Sequence, residues 1–152
     1  MQELLVEIRN CKVCEAHLPL EPRPIVAGSE NSRIIVIGQA PGRKAHVENK
    51  PWDDPSGRKL REWLGVTDDD FYDPDKFGII PMGFCYPGKG KTGDLPPRKE
   101  CAPLWHPKVW EEFKNVKLIL LIGKYAQDQY LGQEAKKNLT ENVLHYDCLL
   151  YT

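Results

Sequence analysis

Four cysteines stand in two pairs, Cys11 with Cys14 and Cys85 with Cys101, in the pattern C-x2-C-x70-C-x15-C. Two thiolates separated by two residues can grip one metal centre from a single turn, and a second pair brought alongside completes an all-sulfur ligand set. Such a set suits a [4Fe–4S] cluster or zinc. The common structural zinc pattern places two tight pairs close together, and the second pair here is too wide for it. A cluster is therefore the first expectation and zinc the runner-up, with Cys148 left over outside the site.

A second stretch able to do chemistry runs from Ile34 to Gly42. The four β-branched residues Ile34 to Ile37 read as a strand buried on both faces, as at the centre of a parallel sheet. Gly38 and Gly42 are expected to let the chain turn sharply and approach a ligand, while Pro41 stiffens the turn. In open α/β sheets, ligands bind at the carboxyl ends of the strands. Gly38, Gln39, Ala40 and Pro41 are accordingly candidate ligand contacts. Trp52, flanked by Pro51 and the carboxylates Asp53 and Asp54, is either a cover for the sheet edge or a stacking face for a ligand ring. Lys89 and Lys91, spaced by glycines, suit phosphate binding or plain solvent exposure.

Two nucleotide-binding patterns are excluded. The turn at Gly38 lacks the dinucleotide-binding spacing. Gly90-Lys91-Thr92 ends like a phosphate-binding loop, but Cys85 occupies the position of its first glycine.

These residues need a scaffold. A chain of 152 residues is expected to fold as one domain over 1–152 with a real core. A hydrophobic content of 41% and a net charge of −1 are ordinary for a globular protein, so nucleic acid would have to meet a local basic patch. No apolar run approaches the ~20 residues of a membrane span, and the start lacks a signal peptide's basic region. The reading is a cytoplasmic monomer with no membrane partner, in which cysteines serve metal binding or catalysis before disulfides.

Along the chain, residues 2–10 fit a short amphipathic helix, and the prolines between Leu18 and Pro24 enforce an extended path. Residues 43–55 read as a loop. Ser56 could cap a helix over 57–64 that turns Leu60, Trp63 and Leu64 inward. Asp68 to Asp70 read as solvated helix-start chemistry. A second strand spans Phe77 to Phe84, kinked at Pro81, and a third spans Leu118 to Gly123. Further helices fit 106–114, 125–131 and 139–147, the last with Thr140 as its cap. The fold class is α/β: a three-layer sandwich around a small, mainly parallel sheet.

In these motifs the chain resembles the uracil-DNA glycosylase superfamily, above all its iron–sulfur, family 4-like members. Their turn after the first strand is Gly-Glu-Ala-Pro-Gly, and here it stands as Gly38-Gln39-Ala40-Pro41-Gly42. Pro51-Trp52 with Gly57 matches the spacing of their Pro-Phe element and following glycine. Cys11, Cys14, Cys85 and Cys101 reproduce their cluster ligands, and Leu118 to Leu131 looks like their strand with a Gly-x-x-Ala helix start.

The resemblance implies a DNA-repair enzyme that flips a deaminated base, uracil or a similar one, into a pocket and hydrolyses its N-glycosidic bond. The turn at Gly38 would hydrogen-bond the base, Trp52 would stack on it, and Pro81 with Met82 would form the opposite wall. Lys89 and Lys91 would meet the DNA backbone, and the cluster would tie distant loops together. Gln39 replaces the family's water-positioning acid, and glutamine cannot take a proton. Asp53 is the nearest carboxylate in sequence and the candidate substitute. Pro81 stands where the family carries a base-reading asparagine. The family's closing His-Pro-Ser segment has no match before Thr152, so the sheet is expected to lack one edge strand and catalysis to be impaired. The alternatives are a non-catalytic nucleic-acid-binding iron–sulfur protein of the same fold and an iron–sulfur electron carrier.

Overall fold

The computed structural model describes residues 1–149, with side chains described as far as Asp147, so the predicted place of Cys148 outside the thiol site lies beyond the described residues. Three parallel strands form the sheet: β1 (Ile34–Ile37) at the centre, β2 (Phe77–Ile79) on one side and β3 (Leu118–Leu121) on the other. Ile34 pairs with both Phe77 and Leu118.

Helices cover both faces, as the near-continuous apolar run of β1 requires. Ile35 and Ile37 pack with Leu5, Ile8, Trp105, Val109 and Ala126, drawn from α1 (Gln2–Arg9), α5 (Cys101–Glu112) and α6 (Lys124–Leu131). Val36 points the other way, joining Phe71, Phe77 and Ile79 with Trp52, Leu60 and Leu64 from α3 (Pro55–Leu64), α4 (Asp68–Tyr72) and their neighbours. Period-2 alternation along one strand thus divides two cores. The three-layer α/β architecture is as expected.

The two sheet edges differ. Ala27 exchanges hydrogen bonds with Ile79 at 3.1 and 2.7 Å, so the 25–27 segment covers the outer side of β2. On β3, Leu118 and Ile119 remain 40% and 42% exposed, the apolar edge expected there. Among the described residues no helix is long and apolar enough to cross a membrane.

Local readings need correction in several places, beginning with the second strand, which ends at Ile79 rather than Phe84. Residues 43–55 are not all loop: Arg43–Glu48 form α2, entered from extended Gly42 and closed by Asn49 at φ 51°. The cap of α3 is Asp54, whose carboxylate accepts Gly57 N–H, because Pro55 takes the first helical position where no N–H is needed. Trp63 is 75% exposed, since the inward stripe of α3 is Gly57, Leu60, Arg61 and Leu64. The helix expected from 106 begins at Cys101, its Pro103 sitting harmlessly in the first turn. The helix at 139–144, α7, is capped by Asn138 rather than Thr140. The triple aspartate does start a helix, through a Thr67–Asp70 capping box.

Candidate functional site

At the carboxyl end of the sheet, the turn after β1 walls a cavity of about 350 Å³ with Trp52, Asp54, Pro81, Asp94 and Gly123. The turn is held by the segment after β2: Met82 N–H donates to Gly38 C=O at 2.8 Å and Gly83 N–H to Gln39 C=O at 2.9 Å. Ile122 N–H binds Ile37 C=O at 2.8 Å on the other side. The cleft is therefore framed by backbone before any ligand arrives.

Gly38 does not owe its place to torsion, because it lies outside the positive-φ glycines. It is needed for space: a Cβ there would meet Trp52 Cζ2 at 2.8 Å. The indole lies directly against the turn and also packs on the core around Val36. Trp52 itself adopts φ 56°, a left-handed conformation that costs a bulky residue roughly 1–2 kcal/mol. Its surroundings over-determine it. Arg61 Nη1 donates to Trp52 C=O at 3.1 Å, Tyr72 O–H donates to Pro51 C=O at 3.0 Å, and Gly57 lets α3 press onto the same carbonyl. A Cβ on Gly57 would stand 1.7 Å from Trp52 O. The Pro51-Trp52 and Gly57 spacing is thus one device that fixes the aromatic face.

Arg61 is almost fully buried, and its Nε reaches Asp68 Oδ1 at 2.6 Å while its guanidinium lies over the Phe71 and Tyr72 rings. Burial raises the Tyr72 phenol pKa, so the hydroxyl stays protonated as a donor. Neither Arg61 nor Tyr72 was singled out from sequence; a buried arginine on the inward stripe of α3 is the signal that was there to read.

The structure brings Gly38, Gln39, Ala40, Pro41 and Trp52 together. It places others elsewhere. Met82 is buried and lines a neighbouring cavity of about 630 Å³ with Pro96, Pro97 and Tyr125, while Pro81 faces the cleft. Asp53 does not line the cleft and pairs with Lys44 at 3.5 Å. Gln39 Nε2 donates to Leu95 C=O at 3.1 Å. Lys89 and Lys91 are exposed on a hairpin closed by Gly90 N–H to Gly93 C=O (2.7 Å) and Leu95 N–H to Gly88 C=O (2.8 Å).

Cys11, Cys14, Cys85 and Cys101 surround one small cavity on the far side of the 81–85 segment, with Leu18, Pro22, Pro24, Phe84, Arg98 and Trp105. All four thiols are free. They arrive from the end of α1, from the extended segment after β2 and from the first residue of α5. Burial first, and then the neighbouring thiols, push the Cys85 thiol up to about 12 and Cys101 up to about 11. Arg98 Nη2 pairs with Glu100 at 2.7 Å, whereas its buried Nε has no partner among the described residues. Four thiols, an apolar wall and one orphaned N–H make a site fitted to an electropositive sulfur-ligated group that accepts a hydrogen bond at its edge. Among the described residues, no three His, Cys, Asp or Glu side chains are placed to hold a single metal ion.

His106 joins the two sites. It stacks on Phe84 of the thiol cavity at 5.7 Å and bonds Pro81 C=O of the cleft through Nε2 at 3.0 Å. Because a carbonyl only accepts, Nε2 carries the proton, Nδ1 accepts from Tyr130 O–H at 2.6 Å, and Tyr130 accepts from Trp110 Nε1 at 2.8 Å.

Comparison with known proteins bears on both sites. The model of a family described as the uracil DNA glycosylase superfamily matches residues 25–151, a span holding the turn, Trp52, Cys85 and Cys101 but not Cys11 or Cys14. A type-4 uracil-DNA glycosylase of Archaeoglobus fulgidus is 28% identical over 75 residues, 47% of this chain and 38% of that protein. A type-4 uracil-DNA glycosylase of Saccharolobus solfataricus is 21% identical over 159 aligned positions, 95% of this chain and 70% of that protein. The chain thus spans well under half of the first relative's length.

Proposed function

This chain belongs to the uracil-DNA glycosylase superfamily, and on that premise we propose that it takes an unstacked, deaminated base of DNA into the cleft at Gly38 and hydrolyses its N-glycosidic bond. One observation carries the reading: Trp52, locked in a left-handed conformation, lies against Gly38 at the open end of a parallel sheet. A base entering there would lie between the indole and Pro81, beside backbone of the Gly38–Gly42 turn. The cleft, about 350 Å³, falls within the ~300–1,000 Å³ of small-molecule sites. Lys89 and Lys91 would meet phosphates of the strand outside it.

Cys11, Cys14, Cys85 and Cys101 would hold a [4Fe–4S] cluster. A single zinc needs four sulfurs at about 2.3 Å from one point, whereas a cluster offers each sulfur its own iron. The wide second pair, Cys85 and Cys101, favours the cluster over zinc. When bound, it would cross-link α1, the segment after β2 and α5, a structural contribution. Arg98 would donate its free Nε–H to the group's edge, and the raised thiol pKa values mean that binding must release protons to solvent.

Gln39 favours a second reading, DNA binding with impaired hydrolysis. Its amide is committed to Leu95 and cannot accept a proton from water. The test is base release from uracil-containing single-stranded and duplex oligonucleotides, measured beside binding to the same DNA. Binding is expected for the cluster-loaded protein, with release slower than by a relative bearing an acid in the turn. Trp52→Ala should weaken binding to DNA with an unpaired base by about 10- to 100-fold, the worth of one base stacked on an aromatic ring. Loaded protein that binds neither DNA would overturn the proposal.

A further inference from the structure

Hydrolysis of an N-glycosidic bond benefits from a carboxylate near the sugar, to oppose the positive charge that develops at C1′ and to take a proton from the attacking water. Two carboxylates line the cleft, Asp54 and Asp94. Asp54 is committed, since its Oδ1 accepts Gly57 N–H at 2.7 Å as the cap of α3. Asp53 is turned to Lys44 and does not line the cleft. Asp94 differs from both: its carboxylate has no hydrogen-bond or ion-pair partner among the described residues.

Its position is set by backbone rather than by chance. Lys89 and Asp94 face each other across the 88–95 hairpin, and the two hairpin bonds at Gly90 and Leu95 fix which residue stands at the cleft. Gln39 then ties the hairpin to the turn by donating to Leu95 C=O, one residue beyond Asp94. With that bond in place, Asp94 Oδ2 lies 3.6 Å from where a side chain on Gly42 would begin. The carboxylate therefore stands in van der Waals reach of the turn at Gly42. Gln39 is thus an anchor for the loop that brings an acid to the turn.

We infer that Asp94 is the catalytic carboxylate of this cleft, supplied from the 88–95 hairpin, and that Gln39 positions it. The inference rests on the proposed base-excision reading. The glycosidic C1′–N bond breaks with its electron pair leaving on the base, and Asp94 stabilises the oxocarbenium ion left at C1′. The oxygen of water then bonds to C1′, one water proton passes to Asp94, and the departing base regains a proton from solvent. No oxidant or further reactant is required.

The test uses the cluster-loaded protein and two abasic single strands, one carrying a cationic pyrrolidine in place of the sugar, the other a neutral tetrahydrofuran. Asp94 should favour the cation by about five- to ten-fold, as one exposed charge pair near 4 Å allows. Asp94→Asn should erase that preference while leaving affinity for tetrahydrofuran DNA within two-fold. It should also lower base release by about 10²-fold with KM little changed. Asp94→Glu should restore part of both effects, and Gln39→Glu placed in the Asp94→Asn background should restore release by returning a carboxylate to the turn. Asp94→Asn that keeps both the cation preference and the release rate overturns the assignment while base excision stands. Wild-type protein that binds neither strand nor releases base overturns the excision reading and the assignment with it.

Discussion

The thiol cavity and the cleft both draw on the 79–85 segment but share no lining residue, and they are held in opposite ways. The cleft is held by backbone: three main-chain bonds frame the turn at Gly38, and Arg61, Tyr72 and Gly57 clamp Pro51 and Trp52. In the thiol cavity no disulfide joins the sulfurs, and Cys14 Sγ reaches Glu100 Oε2 only at 4.0 Å. Its four cysteines converge from segments far apart in sequence and are free, and burial holds the protons on Cys85 and Cys101. A site framed by backbone is shaped without its ligand, whereas a site framed by side chains on separate segments needs the ligand to stay closed. The first arrangement suits a substrate that comes and goes, the second a resident group.

The largest effect should come from breaking the second site. In protein loaded with the proposed cluster, Cys101→Ala, or chelation of the iron, should abolish the broad visible absorbance expected of thiolate–iron charge transfer. It should also release the 1–24 segment to proteolysis, because Cys11 and Cys14 then lose their cross-link. The stability lost should be several kcal/mol, on the scale of the ~10 kcal/mol that structural metals supply to small domains. The cleft should outlast this change, retaining weak binding to DNA with an unpaired base. Loss of the cleft before the N-terminal segment would erase the contrast.

Gly57→Ala attacks the first site in return. Its methyl group would be driven into the Trp52 carbonyl, so either α3 shifts or Trp52 leaves its left-handed conformation. Overpacking of this kind costs about 1–3 kcal/mol, and here the close atoms are backbone, which places it at the upper end. Urea unfolding should report that loss while the visible absorbance of the thiol site is retained. Unchanged stability would mean that the clamp on Trp52 is loose.

How much of this was legible in sequence follows the same division. The cysteine pattern announced its site because ligand chemistry restricts the residue type, and the central strand announced itself by four β-branched residues. The turn and Trp52 were legible for their place, though Gly38 was credited with torsional freedom when its role is to make room. What stayed hidden depends on tertiary register. Asp53 is nearer to Trp52 in sequence, but Lys44 holds it out of the cleft, the cap of α3 engages Asp54, and a hairpin brings in Asp94 from about forty residues on. Met82 and Pro81 are adjacent, and the bend that follows β2 sends them to different cavities. Arg61 and His106 read as surface charge or helix filler until the fold buries them, and Arg98 until the fold encloses its Nε.

The smallest effect concerns the joint between the two regions. His106 sits on the helix that Cys101 begins, stacks on Phe84 of the thiol cavity and binds the Pro81 carbonyl of the cleft. Burial lowers its pKa below the ordinary 6.5, with the bond to Pro81 opposing in part. The folded state therefore favours the neutral ring. Above pH 6.5 neither state binds a proton there and the full contribution is present. As pH falls below 6.5 the unfolded chain takes a proton that the folded chain resists, so stability declines until the folded pKa is reached. One such group allows at most about 1.4 kcal/mol per pH unit. His46, whose pKa is lowered by burial and then by Arg23, adds a decline of the same sign, so the two must be separated. His106→Gln can still donate to Pro81 C=O through its amide but cannot titrate. Urea unfolding of wild type and His106→Gln between pH 7.5 and 5.5 should show a shallower decline in the variant, with His46→Gln giving the remainder. Equal slopes in wild type and His106→Gln would mean that the ring does not link the two regions through its neutral form.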